Sequence, residues 1–241
     1  MIRQSVTATA ALLAVASLAS LPVATTAWGA TVQGSVRLDG KAPRASTRTI
    51  TKDIEVCGQG ERAMDQVVVD KGGLLSGVIV YIEGEIDGVA VPDKAFKLAQ
   101  KECRFSPGVS FVPRGATLEI VNDDPVAHNI HAYEIIGRAR RDLMNIAQPN
   151  QGQTDSKAIK PRRGNVVQLT CDIHDFMRGW LFVPDNPFAD AVDGGSYTLE
   201  GVPAGKRTVK AFHPVLGFAE QEVTLEEGKT ATVNLVFKAG K

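Results

Sequence analysis

Net charge, long apolar runs and reactive side chains are all scarce in this chain. The 27 basic and 27 acidic residues cancel. A neutral chain lacks the basic footprint that nucleic acid requires, so nucleic acid is excluded as a partner. Beyond the first thirty residues no apolar run approaches the length of a membrane span. There is no Gly-rich phosphate loop and no His-Glu-x-x-His motif, so nucleotide chemistry and the common zinc-protease chemistry have no anchor. Cysteine is limited to three residues, histidine to four and methionine to four. Yet residues 171–177, "CDIHDFM", hold one of each.

The N-terminus reads "MIRQSVTATAALLAVASLASLPVATTAWGA". One charge at Arg3, an apolar run and then small residues give the layout of a secretory signal peptide over 1–29. Cleavage falls between Ala27 and Ala30. The competing reading is a retained membrane anchor, which Pro22 and the serines disfavour. The expectation is an exported, soluble, periplasmic protein that is not membrane-spanning after cleavage. The remainder carries one more acidic than basic residue.

Three cysteines in an exported protein imply one disulfide and one thiol with another task. Cys57 and Cys103 lie outside any metal-ligand spacing, so the economical pairing joins them and leaves Cys171 free.

Almost every periodic segment has period two. Val32, Val36 and Leu38 share a face, as do Ala116, Leu118 and Ile120, then Val167, Leu169 and Cys171, then Val233, Leu235 and Phe237. "GVIVYIEG" is a near-continuous β-branched run. Turn signals at Asp39-Gly40, Arg114-Gly115, Pro203-Ala204-Gly205 and Glu227-Gly228 separate the segments. Short strands at this spacing predict an all-β fold built from sandwiches. Only "AYEIIGRARRDLMNIAQ" holds room for a helical turn, weakened by Gly137. Residues 40–66 carry little signal beyond Cys57.

The stretch "DGGSYTLEGVPAGKRTVKAF" resembles the carboxypeptidase regulatory-like, or transthyretin-like, β-sandwich. The opening strands of that family are matched far upstream, by "VQGSVRLDGKAP" and "GVIVYIEG". The resemblance implies a sandwich in two pieces, 30–95 and 187–241, with 96–186 inserted between them. Two sandwiches in series are the alternative.

Within 96–186, "VNDDPVAHN" followed by "QLTCDIHDFMRGW" resembles the cupredoxins, the small blue-copper proteins, in the short-loop amicyanin form. That resemblance implies a mononuclear type 1 copper held by His128, Cys171, His174 and Met177. The chemistry of the residues agrees. A thiolate and two imidazoles make a trigonal His2Cys set, and a thioether sits weakly on its axis. His131 competes with His128 for the upstream position, and Asn129 is placed to hold the ligand loop. His213 and Met144 read as structural.

The resemblance further implies one-electron transfer, not enzymatic turnover, through a His174 ring edge that reaches the surface beside Phe176. The partner would be a redox protein such as a cytochrome or a membrane oxidoreductase. Asp175 stands where many cupredoxins carry proline, and an acidic residue there bears on the basicity of His174 and on docking. Arg138, Arg140, Arg141, Lys157, Lys160, Arg162 and Arg163 face only Asp142 and Asp155 in their span. They form either a solvated loop or a docking patch for an acidic partner. A copper carrier or sensor, and a metal-free β-sandwich ligand-binding module, are the alternatives to electron transfer.

Overall fold

The computed structural model describes residues 29–240, so the signal-peptide expectation lies outside the described residues. Among the described residues no helix is long and apolar enough to cross a membrane. Among the described residues the fold is all-β, with a single helical turn at Ile54–Cys57.

Two β-sandwiches share the chain. In the first, the strand Ala30–Asp39 pairs antiparallel with Ser196–Val202 and parallel with Thr230–Thr232 and Leu235–Lys238. Its opposing sheet runs Ala189–Val192, Val78–Ile82, Gly205–His213, Gly217–Leu225. Strands before residue 83 and after residue 188 therefore share both sheets. The alternation read at Val32, Val36 and Leu38 is the buried face of the first strand. It packs with Val78, Val80, Ile82, Tyr197, Leu199 and Phe237.

The second sandwich uses the chain between. One sheet runs Thr154–Ala158, Thr117–Asn122, Phe96–Lys101, Arg104–Ser106. The other runs Ala139–Gln148, His128–Ile136, Val166–Thr170, Arg178–Phe182, Val109–Phe111. Leu98, Leu118, Ile120, Ile130, Val167, Leu169 and Leu181 fill the space between them.

Val78–Ile82 explains why its sequence does not alternate. All five residues are buried. Val78, Val80 and Ile82 enter the first core, while Ile79 and Tyr81 pack outward on Phe182 and Phe212. The Tyr81 and Phe182 rings lie 4.3 Å apart, and Phe182 stacks on Phe212 at 5.3 Å. A strand buried on both faces reads as a continuous apolar run. This aromatic cluster joins the two sandwiches, and full burial of each such side chain contributes about 1.5–3 kcal/mol.

The segment allowed a helical turn is instead a long hairpin. His128–Ile136 pairs antiparallel with Ala139–Gln148 from end to end. Gly137, at φ 60°, supplies the left-handed residue of its tight turn. Cross-strand pairing and a buried face outweighed the helix-permissive composition of the stretch.

Residues 46–64 form a strap over one end of the second sandwich. Ser46–Thr49 pairs with Glu61–Met64, and the turn Ile54–Cys57 lies between. Cys57 is bonded to Cys103, which anchors the strap.

Candidate metal centre

His128, Cys171 and His174 approach one point at the strapped end, and Met177 is buried in the same core cluster. His128 begins the strand His128–Ile136. Cys171 directly follows Val166–Thr170, the strand beside it. The chain then turns sharply, with Met177 donating its N–H to the His174 carbonyl at 2.9 Å. Period two explains the Cys171 orientation: Val167, Leu169 and Cys171 all face inward.

The donor atoms converge. His128 Nδ1 and His174 Nδ1 are 3.1 Å apart, and Cys171 Sγ lies 3.7 Å from His174 Nδ1 and 4.0 Å from His128 Nδ1. All three residues are buried. Met177 is buried in the same cluster, beside Cys171 and Phe176.

Each imidazole is turned toward this point by a carboxylate behind it. His128 Nε2 meets Asp124 Oδ2 at 2.8 Å, and His174 Nε2 meets Asp53 Oδ2 at 2.7 Å. A carboxylate accepts, so each Nε2 carries the proton and each Nδ1 presents a lone pair. Two lone pairs and a sulfur at such spacing repel one another unless a proton or a metal cation lies among them. Metal bonds of about 2.0 Å to nitrogen and about 2.3 Å to sulfur, spread trigonally, separate such donors by about 3.5–3.8 Å. The observed spacings bracket that range, so the residues present fit a soft transition metal.

Cys171 is poised as a ligand. Burial opposes ionisation of its thiol, but the adjacent His128 and His174 rings, whose inner nitrogens donate to sulfur only when they hold a proton, and the backbone N–H of Asn129 and His174 prevail and bring its pKa down to about 6. For His174, burial works against the charged form, and the bonds to Cys171 and Asp53 outweigh it, raising its pKa. Asn129 holds the loop as its position implied. Its Oδ1 accepts the Asp172 N–H at 2.7 Å and the Cys171 thiol at 3.3 Å.

The floor of the site is built from strained backbone held by specific partners. Glu102 and Cys103, both at φ 52°, form the two-residue turn between Phe96–Lys101 and Arg104–Ser106. Such a turn favours Asn-Gly, and other side chains are strained there. Asp124 offsets that strain by accepting the N–H of Glu102 at 2.7 Å and of Cys103 at 2.8 Å. From the other side Arg62 donates to the carbonyls of Cys103, Cys57 (2.8 Å) and Glu102 (3.2 Å). The disulfide therefore lies against the histidines. Ligand atoms of Cys57, Cys103 and His174 fall within 4.8 Å of one another, as do those of Cys103, Asp124 and His128.

Three sequence expectations change here. The His174 ring edge does not reach the surface: the side chain is fully buried and its outer nitrogen is covered by Asp53. Phe176 forms no surface rim; it is buried under Arg62, whose guanidinium lies 5.2 Å from the ring centre. Asp175 points to solvent near Arg48, so the carboxylate that bears on His174 is Asp53. Asp53 had no sequence signal of its own beyond Cys57 four residues on. Asp124, four residues before His128, lay inside the quoted motif without an assigned role.

The other candidates stand apart. His131 lies between Asp142 at 2.7 Å and Asp172 at 3.0 Å and does not join the donors. His213 is buried in the first sandwich, where its Nδ1 accepts the N–H of Val215 and Leu216. Met144 packs in the second core. Arg140, Arg141 and Arg163 of the basic stretch lie away from the site. Arg140 lies over Tyr133, and Arg141 pairs with the buried Glu134, which also accepts the N–H groups of Arg163 and Gly164. Arg141 and Arg140 lie opposite Glu134 and Ile135 on the His128–Ile136 strand, roughly 20–24 Å along it from His128.

No family model matches the chain, and no curated protein matches it. Solved structures do. The copper-containing nitrite reductase NirK of Thermus scotoductus SA-01 aligns at 18% identity and TM-score 0.31 over 42% of this chain; the chain spans 25% of that protein. The purple cupredoxin of Nitrosopumilus maritimus aligns at 22% identity and TM-score 0.31, over 36% of this chain and 97% of that one. An amicyanin variant in its reduced Cu(I) form at pH 4 aligns at 21% identity and TM-score 0.31, over 43% and 97%. At such scores these likenesses decide nothing about function, which is read from the geometry of the site.

Proposed function

We propose that this chain is an exported type 1 copper protein that transfers single electrons. One observation carries the reading: His128 Nδ1, His174 Nδ1 and Cys171 Sγ converge within 3.1–4.0 Å in a buried pocket. His128, Cys171, His174 and Met177 would hold the copper. Copper so bound supplies a one-electron couple at nearly constant geometry. The chain's residues provide the conditions. Asp124 and Asp53 fix both imidazoles with their inner nitrogens unprotonated. The lowered pKa of Cys171 favours the thiolate at neutral pH, and burial keeps that sulfur from water and oxidants. The transthyretin-like sandwich is the companion module. The redox partner would be a cytochrome or a membrane oxidoreductase, met in the periplasm.

A copper carrier is the second reading, favoured by the cover over His174. With Asp53 and the disulfide-anchored strap on its outer nitrogen, the ring has no free edge for a docking partner. Absorption spectroscopy after adding Cu(II) to the full chain separates the readings. An intense visible thiolate band supports electron transfer, and colourless bound copper supports carriage. Failure to bind copper leaves a ligand-binding β-sandwich module.

A further inference from the structure

A cleft of about 510 Å³ opens where the two sandwiches meet, and none of the candidate copper ligands lines it. The first sandwich contributes Tyr81, Glu83, Lys210 and Phe218; the second contributes Asn165 and Trp180. Junctions of this kind are favoured places for small-molecule sites.

The apolar wall is aromatic. Phe218 is 55% exposed, more than any other large hydrophobic side chain among the described residues. Its ring lies 5.3 Å from that of Phe212 and stands at 65° to that of Phe182. Those two rings are buried, so Phe218 covers them and keeps its own outer surface free. Trp180 is pinned by its indole N–H to Asp65 at 2.7 Å and stays half-buried. Ring faces accept either an apolar group or a cation.

The polar groups decide between the two. Glu83 and Glu220 share the single ammonium of Lys210, which leaves one negative charge in excess. Only one Glu83 oxygen is engaged, and the side chain is exposed. Asn165 spends its NH2 on the Val183 carbonyl and the Asp185 carboxylate, so its carbonyl oxygen has no donor among the described residues. Tyr81 is 8% exposed, and its hydroxyl has no partner there either. Both oxygens stay open to solvent, and the cleft is the space their residues line. Burial, then the charges of Glu83, Asp185 and Glu220, push the Tyr81 pKa up, so the hydroxyl stays neutral in a negative field. What is unspent in the cleft is acceptor capacity beside ring faces.

We propose that this cleft binds a small organic ammonium ion, with its substituents against Phe218 and Trp180 and its charge toward Glu83. An anion would meet the excess carboxylate. A wholly apolar molecule would displace water from the three oxygens and leave them unpaired. An ammonium ion sheathed in carbon satisfies both the rings and the carboxylate. The site is independent of whether copper binds at the metal centre.

NMR of the full-length, metal-free protein tests this with choline and with its neutral isostere 3,3-dimethylbutan-1-ol. The Trp180 indole N–H signal, told from that of Trp28 with a Trp28→Phe protein, is followed at constant ionic strength. Choline should shift it saturably, and the isostere should bind about fivefold more weakly or worse. Glu83→Gln and Phe218→Ala should each weaken choline binding by about threefold. Glu226→Gln, beyond the other end of the strand Gly217–Leu225, should leave it unchanged. The proposal fails if choline gives no saturable shift, if the isostere binds as tightly, or if Glu83→Gln or Phe218→Ala keeps wild-type affinity. A loss in Glu226→Gln equal to that in Glu83→Gln would also overturn it, because the effect would then be diffuse charge.

Discussion

The Asp53 carboxylate accepts the Nε2 proton of His174 at 2.7 Å across 121 residues of sequence. Asp53 can do so because it adopts a left-handed backbone conformation, φ 47°, just before the turn Ile54–Cys57. The bond fixes the tautomer of His174, aims its inner nitrogen at Cys171, and seals the outer one from water. A carboxylate behind a ligand histidine usually strengthens metal binding, and losing it costs about 10–100-fold in affinity. Asp53→Ala should therefore weaken Cu(II) binding within that range in a competition titration and speed copper loss to a chelator. Asp53→Asn keeps an acceptor oxygen and should fall between the two. Equal affinities in all three proteins would mean that Asp53 covers the site without tuning it.

The roles of sulfur at the site separate by spectroscopy. Cys171→Ser should remove the visible charge-transfer band, because a hydroxyl cannot supply it. Met177→Leu should preserve the colour and raise the reduction potential, because a weak axial thioether only tunes the centre. An unchanged copper spectrum in Cys171→Ser would refute the ligand assignment.

How much of this was legible in the sequence differs by residue. The inward alternation of Val167, Leu169 and Cys171 was readable because one face of that strand is buried and period two maps directly onto it. The same logic found Val32, Val36 and Leu38. It had no purchase on Val78–Ile82, whose second face is buried by aromatics from Phe182 and Phe212, far along the chain. The grouping of Cys171 and His174 was legible in their short spacing after a strand, and that of His128 in the resemblance carried by its His-Asn motif. Asp53 was not, since its role depends on a fold-level approach of the strap, which only the pairing of Cys57 with Cys103 hinted at. The burial of His174 follows from that same approach, so its expected surface edge was lost for the reason Asp53 was missed.

The disulfide should contribute to stability as well as to the cover. It closes a loop with a sequence separation of 46 residues, worth about 4 kcal/mol in the chain-entropy model. Alkylation of the unfolded, unreduced metal-free protein should find one reactive thiol, that of Cys171. A Cys57→Ala, Cys103→Ala pair should lower the denaturation midpoint. It should also loosen the strap, which hydrogen exchange at residues 54–57 would report. Three reactive thiols, or a peptide linking Cys171 to either partner, would contradict the pairing.

The last expectation concerns acid. His213 is 2% exposed, and desolvation lowers its pKa from 6.5 to about 4, with the Asp65 charge acting weakly in the opposite sense. Its Nδ1 accepts two backbone N–H groups, an arrangement open only to the neutral ring. In the unfolded chain the imidazole takes a proton near its ordinary pKa, while the folded one resists until about pH 4. The unfolded state thus binds more protons across that window, and stability falls as pH drops from about 6.5 to about 4. A shift of this size corresponds to roughly 3 kcal/mol, fully present above the upper limit and lost below the lower one. Urea denaturation of the metal-free protein should show the decline. His213→Gln should be less stable at neutral pH but show a flatter dependence between those limits, because it removes the titrating group. Metal-free protein keeps the pH dependence of metal binding out of the comparison. A variant with the same pH slope as wild type would place the acid sensitivity elsewhere.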